Sequence, residues 1–181
     1  MRFLATAIAG CVLVEPEPRR DERGFFARTF CADEFAAAGI AFTPAQINLS
    51  RNDRRHTLRG LHFQDPPFAE AKLVQAVRGA VFDVVVDLRP ESATFRHWAA
   101  FELTAEAANA VFIPEGCAHG FLSLADVTDV QYLMGRAYVP GKAKGHRYDD
   151  PAFTIRWPHP PAVIAPADLA WPAFGDQARG A

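Results

Sequence analysis

The stretch Lys72-Leu-Val-Gln-Ala-Val-Arg-Gly-Ala-Val-Phe-Asp-Val-Val-Val-Asp-Leu-Arg-Pro90 decides the fold class. Lys72 to Arg78 ends at Gly79, and Ala80 to Leu88 ends at Arg89-Pro90. Short apolar runs rich in Val and bounded by Gly and Pro read as successive strands, because β-branched side chains pack well on a pleated surface. In the second run Phe82, Val84, Val86 and Leu88 share one face, and Asp83, Val85 and Asp87 share the other. Two carboxylates on one face of so apolar a strand have two readings. The face is solvated or paired with Arg, or it lines the polar interior of a barrel. The geometry of one strand does not choose between them.

The same pattern continues outward. His97 to Leu103, Asn109 to Ile113, Gly120 to Leu124, Val127 to Leu133 and Phe153 to Trp157 read as further strands. Met1 to Val14 ends at Glu15-Pro-Glu-Pro18. Its single Arg2 and short apolar stretch before Cys11 suit a first strand better than a lipoprotein signal. Cys31 to Gly39 is Ala-rich, acidic at its start and closed by Gly, which predicts a short helix. Strands of this length with turns between them predict an all-β sandwich or barrel with one or two short helices.

The chain has 181 residues, one domain's worth, and the expected domain spans residues 1–181. With 50% hydrophobic and 22% charged residues it is not a disordered chain. A net charge of -2 provides no basic field for nucleic acid. The 19 cationic residues comprise 16 Arg and 3 Lys, and the planar guanidinium fork suits phosphate, so anionic ligands stay open. Cys11, Cys31 and Cys117 are scattered and odd in number. They fit free thiols in a reducing compartment, and a cytoplasmic location is expected. No stretch approaches the ~20 apolar residues that would span a bilayer.

His62, in Leu58-Arg-Gly-Leu-His-Phe-Gln64, and His119, in Ile113-Pro-Glu-Gly-Cys-Ala-His-Gly-Phe121, stand in distinctive contexts. Each can be a structural histidine or a catalytic one. Pro114 to His119 looks like the second half of the metal-binding motif of cupins, which are small β-barrels. The first half of that motif wants two His one residue apart, yet this chain has His62-Phe63-Gln64, and Gln is a poor ligand beside imidazole. No metal is therefore expected. Arg23 and Arg59 can grip an anion or form surface ion pairs. Lys72 opens an apolar strand, a position that hints at a wanted point charge. Tyr132 and Tyr138 are packing residues or, at an ordinary phenol pKa of about 10, proton donors.

Together these segments resemble the dTDP-4-dehydrorhamnose 3,5-epimerase family, the dTDP-sugar isomerases of the cupin superfamily. The matching stretches run in order from Phe3 to Trp157. They include Asp21-Glu-Arg-Gly-Phe-Phe26, Gln46-Ile-Asn-Leu-Ser50, Leu58 to Gln64, Lys72-Leu-Val74, Val81 to Arg89, Ile113 to Phe121, Tyr132 to Tyr138 and Ile155-Arg-Trp-Pro158. The resemblance implies a cupin-type double-stranded β-helix, or jelly roll, that forms homodimers with N-terminal strands crossing between subunits. It implies epimerisation of a nucleotide-linked 4-keto-6-deoxyhexose. The C4 ketone acidifies the C3 and C5 protons, a base forms an enolate, and an acid on the other ring face returns a proton. No redox cofactor is needed.

By the same resemblance His62 is the base and Tyr132 the proton donor. Lys72 lies near the keto oxygen, Asp83 and His119 are polar groups of the pocket, and Asp168 orients the catalytic His. Arg23 and Arg59 bind the diphosphate. Gln46 and Asn48 contact the nucleotide, Phe26 belongs to the substrate-binding set, and Tyr138 stacks on the base. The chain departs from the family where Arg28 replaces a glutamate, Ala143 an acidic residue and Ala167 a lysine. All three concern substrate binding. A C3-only epimerase or a 3,4-ketoisomerase of a different nucleotide-linked keto-sugar is therefore the alternative.

Overall fold

The structure is a computed structural model and describes residues 1–175. Residues 176–181 of the expected domain lie outside that range. The strands in chain order are β1 (Arg2–Ala5), β2 (Val12–Glu15), β3 (Arg19–Asp21), β4 (Gly24–Phe26), β5 (Gln46–Asn52), β6 (Thr57–Gln64), β7 (Lys72–Arg78), β8 (Ala80–Asp87), β9 (Trp98–Thr104), β10 (Ala110–Ile113), β11 (Cys117–Ser123), β12 (Thr128–Met134), β13 (Ala143–Gly145) and β14 (Val163–Ile164). Helix α1 (Ala32–Ala37) lies before β5, and α2 (Pro166–Leu169) follows β14.

One sheet runs β1-β2-β10-β7-β12-β5 and the other β13-β6-β11-β8-β9, with β14 parallel beside β6. Every other pairing is antiparallel. The sheets face each other across Val74, Ala76, Val81, Val85, Val111, Ile113, Phe121 and Val130, a jelly roll with a filled interior. The outer face of the first sheet is covered by Phe35 of α1, packed with Phe42, Leu73 and Phe112. The outer face of the second carries Leu61, Phe63, Val84 and Val86 beneath Phe153, Trp157 and Phe174. Burial on both faces explains why β7 and β8 read as nearly continuous apolar runs. Among the described residues no helix is long and apolar enough to cross a membrane.

Both readings of the β8 carboxylates hold, one for each residue. Asp83 is fully buried in the interior. Asp87, also buried, is bound by Arg89 Nη2 at 2.7 Å and by the hydroxyls of Ser92 and Thr94 at 2.6 and 2.7 Å.

Three expectations need correction, and one strand was missed. Phe153 to Trp157 is not a strand. The Phe153 and Thr154 amides both donate to Asp150 O, and Thr154 has φ 51, so the chain turns there. Its alternating apolar residues belong to a cover over the second sheet. Met1 to Val14 is a hairpin rather than one strand. It turns at Gly10 (φ 75), where the Thr6 hydroxyl bonds Cys11 O at 2.9 Å and buries Ile8 and Cys11. Strand β11 runs Cys117–Ser123 rather than Gly120 to Leu124, so His119 lies inside the strand instead of in the turn before it. Strand β5 was not expected, because its apolar Ile47 and Leu49 are 62% and 64% exposed. The intervening positions are the polar Gln46, Asn48 and Ser50, the reverse of an ordinary core strand.

Candidate active site

His62 and His119 are direct partners across β6 and β11. Glycine makes that pairing possible. A Cβ on Gly60 would lie 2.5 Å from Gly120 Cα, and one on Gly120 would lie 2.8 Å from Arg59 O. Gly60 also has φ 125, a region closed to other residues without strain. The two backbones therefore touch beside the two histidines.

His62 Nε2 lies 2.7 Å from Asp168 Oδ1. The Gly60 amide donates to Asp168 Oδ2 at 3.2 Å, and Trp171 Nε1 donates to Oδ1 at 3.3 Å. Burial alone would raise the Asp168 pKa, but these hydrogen bonds, that from His62 first, hold it below its ordinary value. An ionised carboxylate only accepts, so the proton on the imidazole sits on Nε2 and Nδ1 is the basic nitrogen. Trp171 stands edge-on to the His62 ring at 6.2 Å. Gly145 makes room for it, since a Cβ there would meet the indole at 2.5 Å.

Tyr132 comes from the other sheet, on β12 opposite Asn48 of β5. Desolvation raises its pKa, and nearby Asp83 raises it further. Arg59 and a hydrogen bond from Ser50 oppose without reversing the shift. The phenol therefore stays protonated. Its ring meets His119 edge-on at 6.0 Å. His119 Nε2 lies 2.7 Å from Asp83 Oδ2, with both side chains buried. Desolvation is the largest influence on Asp83 and raises its pKa. Lys72 is 5% exposed, and its Nζ lies 3.4 Å from Glu70 Oε1. Arg59 is oriented by Asn52 Oδ1 at 2.8 Å and Arg51 O at 3.2 Å.

His62, His119, Tyr132, Lys72, Arg59 and Asn48 line one cavity of about 290 Å³. Asp83 and Asp168 stand behind the two histidines. Gln46 and Tyr138 do not line the cavity but are joined to it through Asn48. The Tyr138 amide donates to Gln46 Oε1 at 3.0 Å, and Gln46 Nε2 donates to Asn48 Oδ1 at 2.8 Å.

Arg23 and Phe26 do not line this cavity. They lie on the β3–β4 ribbon, where Arg23 pairs with Asp21 at 2.5 Å and the Phe26 ring is 77% exposed. Arg28 is bound to Glu34 at 2.6 Å, Ala143 lies opposite Gln64 on β13, and Ala167 lies in α2. Sequence reasoning missed Glu70, Ser50 and Trp171. Glu70, two residues before Lys72, lies just outside the apolar run, so the alternation that marks β7 did not reach it. Trp171 follows Asp168 at a spacing with no periodic signal.

The family model described as dTDP-4-dehydrorhamnose 3,5-epimerase matches residues 5–176. The chain belongs to the dTDP-4-dehydrorhamnose 3,5-epimerase family. It is 43% identical over 158 residues to the dTDP-4-dehydrorhamnose 3,5-epimerase of Methanothermobacter thermautotrophicus, covering 87% of this chain and 84% of that one. It is 40% identical over 169 residues to a dTDP-4-dehydrorhamnose 3-epimerase of Streptomyces niveus, covering 93% and 81%. The crystal structure of a dTDP-4-dehydrorhamnose 3,5-epimerase from Bacillus anthracis with TDP and PPi bound superposes with a TM-score of 0.92 at 33% identity, covering 96% of this chain and 99% of that one. The stretch matched to the epimerase family contains every residue of the cavity.

Proposed function

We propose that this epimerase-family protein inverts C3 and C5 of dTDP-4-dehydro-6-deoxyglucose through enolate intermediates. The observation that carries this reading is an imidazole and a phenol on opposite walls of one cavity, which the proposal takes as base and acid. His62 stands on one sheet and Tyr132 on the other. A general base and acid each contribute on the order of 10²–10⁴-fold to such a proton transfer.

His62 Nδ1 takes the proton from carbon, and the C–H electron pair moves into the ring while the carbonyl oxygen becomes an enolate. Lys72 and His119 stabilise the developing charge. Tyr132 gives its proton to the opposite face of the same carbon, and the electrons return to the carbonyl. The phenolate and imidazolium left behind reset by proton exchange with solvent. Asp168 holds the His62 tautomer, and Asp83 holds His119. Arg59 takes the diphosphate, with Gln46, Asn48 and Tyr138 on the nucleotide side.

The proposal extends to a homodimer of this single domain. Arg23 and Phe26 lie on an exposed ribbon away from their own cavity, and a second copy offers them to it. The proposed activity needs no metal. Gln64 Nε2 is committed to Glu70 at 2.7 Å, and Glu70 to the Lys72 ammonium, so these groups are already paired. The three free cysteines agree with a cytoplasmic setting.

The test is incubation with dTDP-4-dehydro-6-deoxyglucose in deuterated water, with and without chelator. Deuterium entering both C3 and C5 at equal rates in the two samples supports the reading. Exchange at C3 alone makes the protein a C3 epimerase, and movement of the ketone to C3 makes it a ketoisomerase.

A further inference from the structure

Glu70 is a carboxylate that lines the cavity and that the proton transfers leave without a role. Its side chain is 9% exposed and that of Lys72 is 6% exposed. Charges withdrawn from water this far persist only when paired. Glu70 is gripped from two sides. Gln64 Nε2 donates to Oε2 at 2.7 Å, and Lys72 Nζ approaches Oε1 at 3.4 Å. Gln64 lies two residues after His62 on β6, so both side chains leave the strand on one face. The buried Gln64 Oε1 has no partner among the described residues. The carboxylate therefore sets the direction of the amide, because only the NH₂ end can face it.

The two contacts differ in kind. At 2.7 Å the amide bond is short and fixes the carboxylate to β6. At 3.4 Å the ammonium lies beyond the usual charge-assisted distance of about 2.7–2.9 Å. It is attracted without being consumed, and an ammonium has three N–H groups to offer.

We infer that Glu70 is a positioning residue that, anchored by Gln64, holds the Lys72 ammonium over the keto oxygen of the substrate. This deepens the proposed epimerase reading and rests on it. In this reading Glu70 acts through Lys72 alone.

The experiment is a double-mutant cycle on the full chain. Glu70→Gln keeps the shape and removes the charge. It should lower kcat about 10- to 100-fold, less than the ~10²–10³-fold lost when a charge-stabilising donor is removed outright, and leave KM within about threefold. In a Lys72→Met background Glu70→Gln should cost nothing further in kcat, since the group it positions is gone. Gln64→Met removes the anchor while leaving the charge, and its smaller kcat loss should vanish in the same background. A Glu70→Gln kcat within twofold of wild type, or losses that multiply in the double variants, would overturn the inference.

Turnover by the wild-type protein is the separate check on the epimerase reading. A readout independent of substrate is the ¹⁵N signal of the Lys72 ammonium in ligand-free protein. Held by Glu70, it should exchange slowly with water, and Glu70→Gln should broaden it away. An unchanged signal in Glu70→Gln contradicts the inference whatever the substrate is. Should Glu70→Gln fail to fold, the kcat and signal of Gln64→Met decide it in the same way.

Discussion

At the residue scale the site rests on two His–Asp pairs that differ in exposure. The His62 side chain is 43% exposed and that of His119 is 5% exposed. In the proposed mechanism the open one exchanges protons with substrate and solvent, while the enclosed one is held in place by Asp83. His62→Ala should therefore lower kcat by about 100-fold or more and leave the far-ultraviolet circular dichroism unchanged. Retention of a tenth of the wild-type rate would show that another group is the base. Asp168→Asn replaces an acceptor with an amide that no longer demands the Nε2 proton. Its kcat should fall by at least about tenfold, as when a carboxylate that fixes the tautomer of a catalytic His is lost, with KM little altered, and a wild-type kcat would remove Asp168 from the mechanism. The two histidines stood out in the sequence by their local contexts, Lys72, Tyr132 and Arg59 were singled out by the family resemblance, and the fold brings all five to one cavity. Glu70 and Trp171 were not legible, because their roles come from contacts across the fold rather than from any local pattern.

At the element scale, the close approach of β6 and β11 positions the site. Gly120→Ala puts a methyl against Arg59 O and Leu61 Cδ2, where neither the backbone nor a packed side chain can yield freely. Overpacking of this kind costs about 1–3 kcal/mol. The urea midpoint should drop and kcat should fall with it, because His119 moves. An Ala variant with normal midpoint and activity would show that the strands do have room. Helix α1 has a different task. Phe35 is fully buried among the rings of Phe3, Phe30, Phe42 and Phe112. Phe35→Ala should cost about 3–5 kcal/mol with kcat intact in the folded fraction, as measured by urea unfolding and turnover. The core strands and α1 were readable because their periods and caps are local. Strand β5 was missed and the Phe153 to Trp157 cover was misread for one reason. Alternation reports which face is apolar, and it does not report whether that face meets a core, a cavity or solvent.

At the scale of the whole molecule, the tail after β13 is a cover that carries part of the site. His146 is buried and stacks on Phe63 at 5.1 Å. Desolvation lowers its pKa below the ordinary 6.5. The unfolded chain therefore takes up this proton more readily than the folded one, and stability falls as pH drops below about 6.5. His146→Phe keeps the ring and removes the proton site. The loss of urea midpoint between pH 7.5 and 5.5 should be smaller in that variant than in wild type. Equal losses would show that His146 does not contribute. Assembly is tested at the same scale. Sedimentation should report a dimer, and Arg23→Ala should raise KM for the sugar nucleotide. A monomer with full activity would contradict the proposal that a second copy completes the cavity. The exposure of the apolar Phe26, Ile47 and Leu49 is a property of the fold that the sequence does not display.

The central claim is that base and acid act from opposite walls, and Tyr132→Phe tests it most directly. Exchange and inversion are followed together in deuterated water on one sample. With the hydroxyl gone, His62 still removes the proton and returns a solvent-derived deuteron from the same side. The account predicts deuterium at C3 or C5 of the substrate with net inversion abolished. Inversion at the wild-type rate in Tyr132→Phe would contradict it.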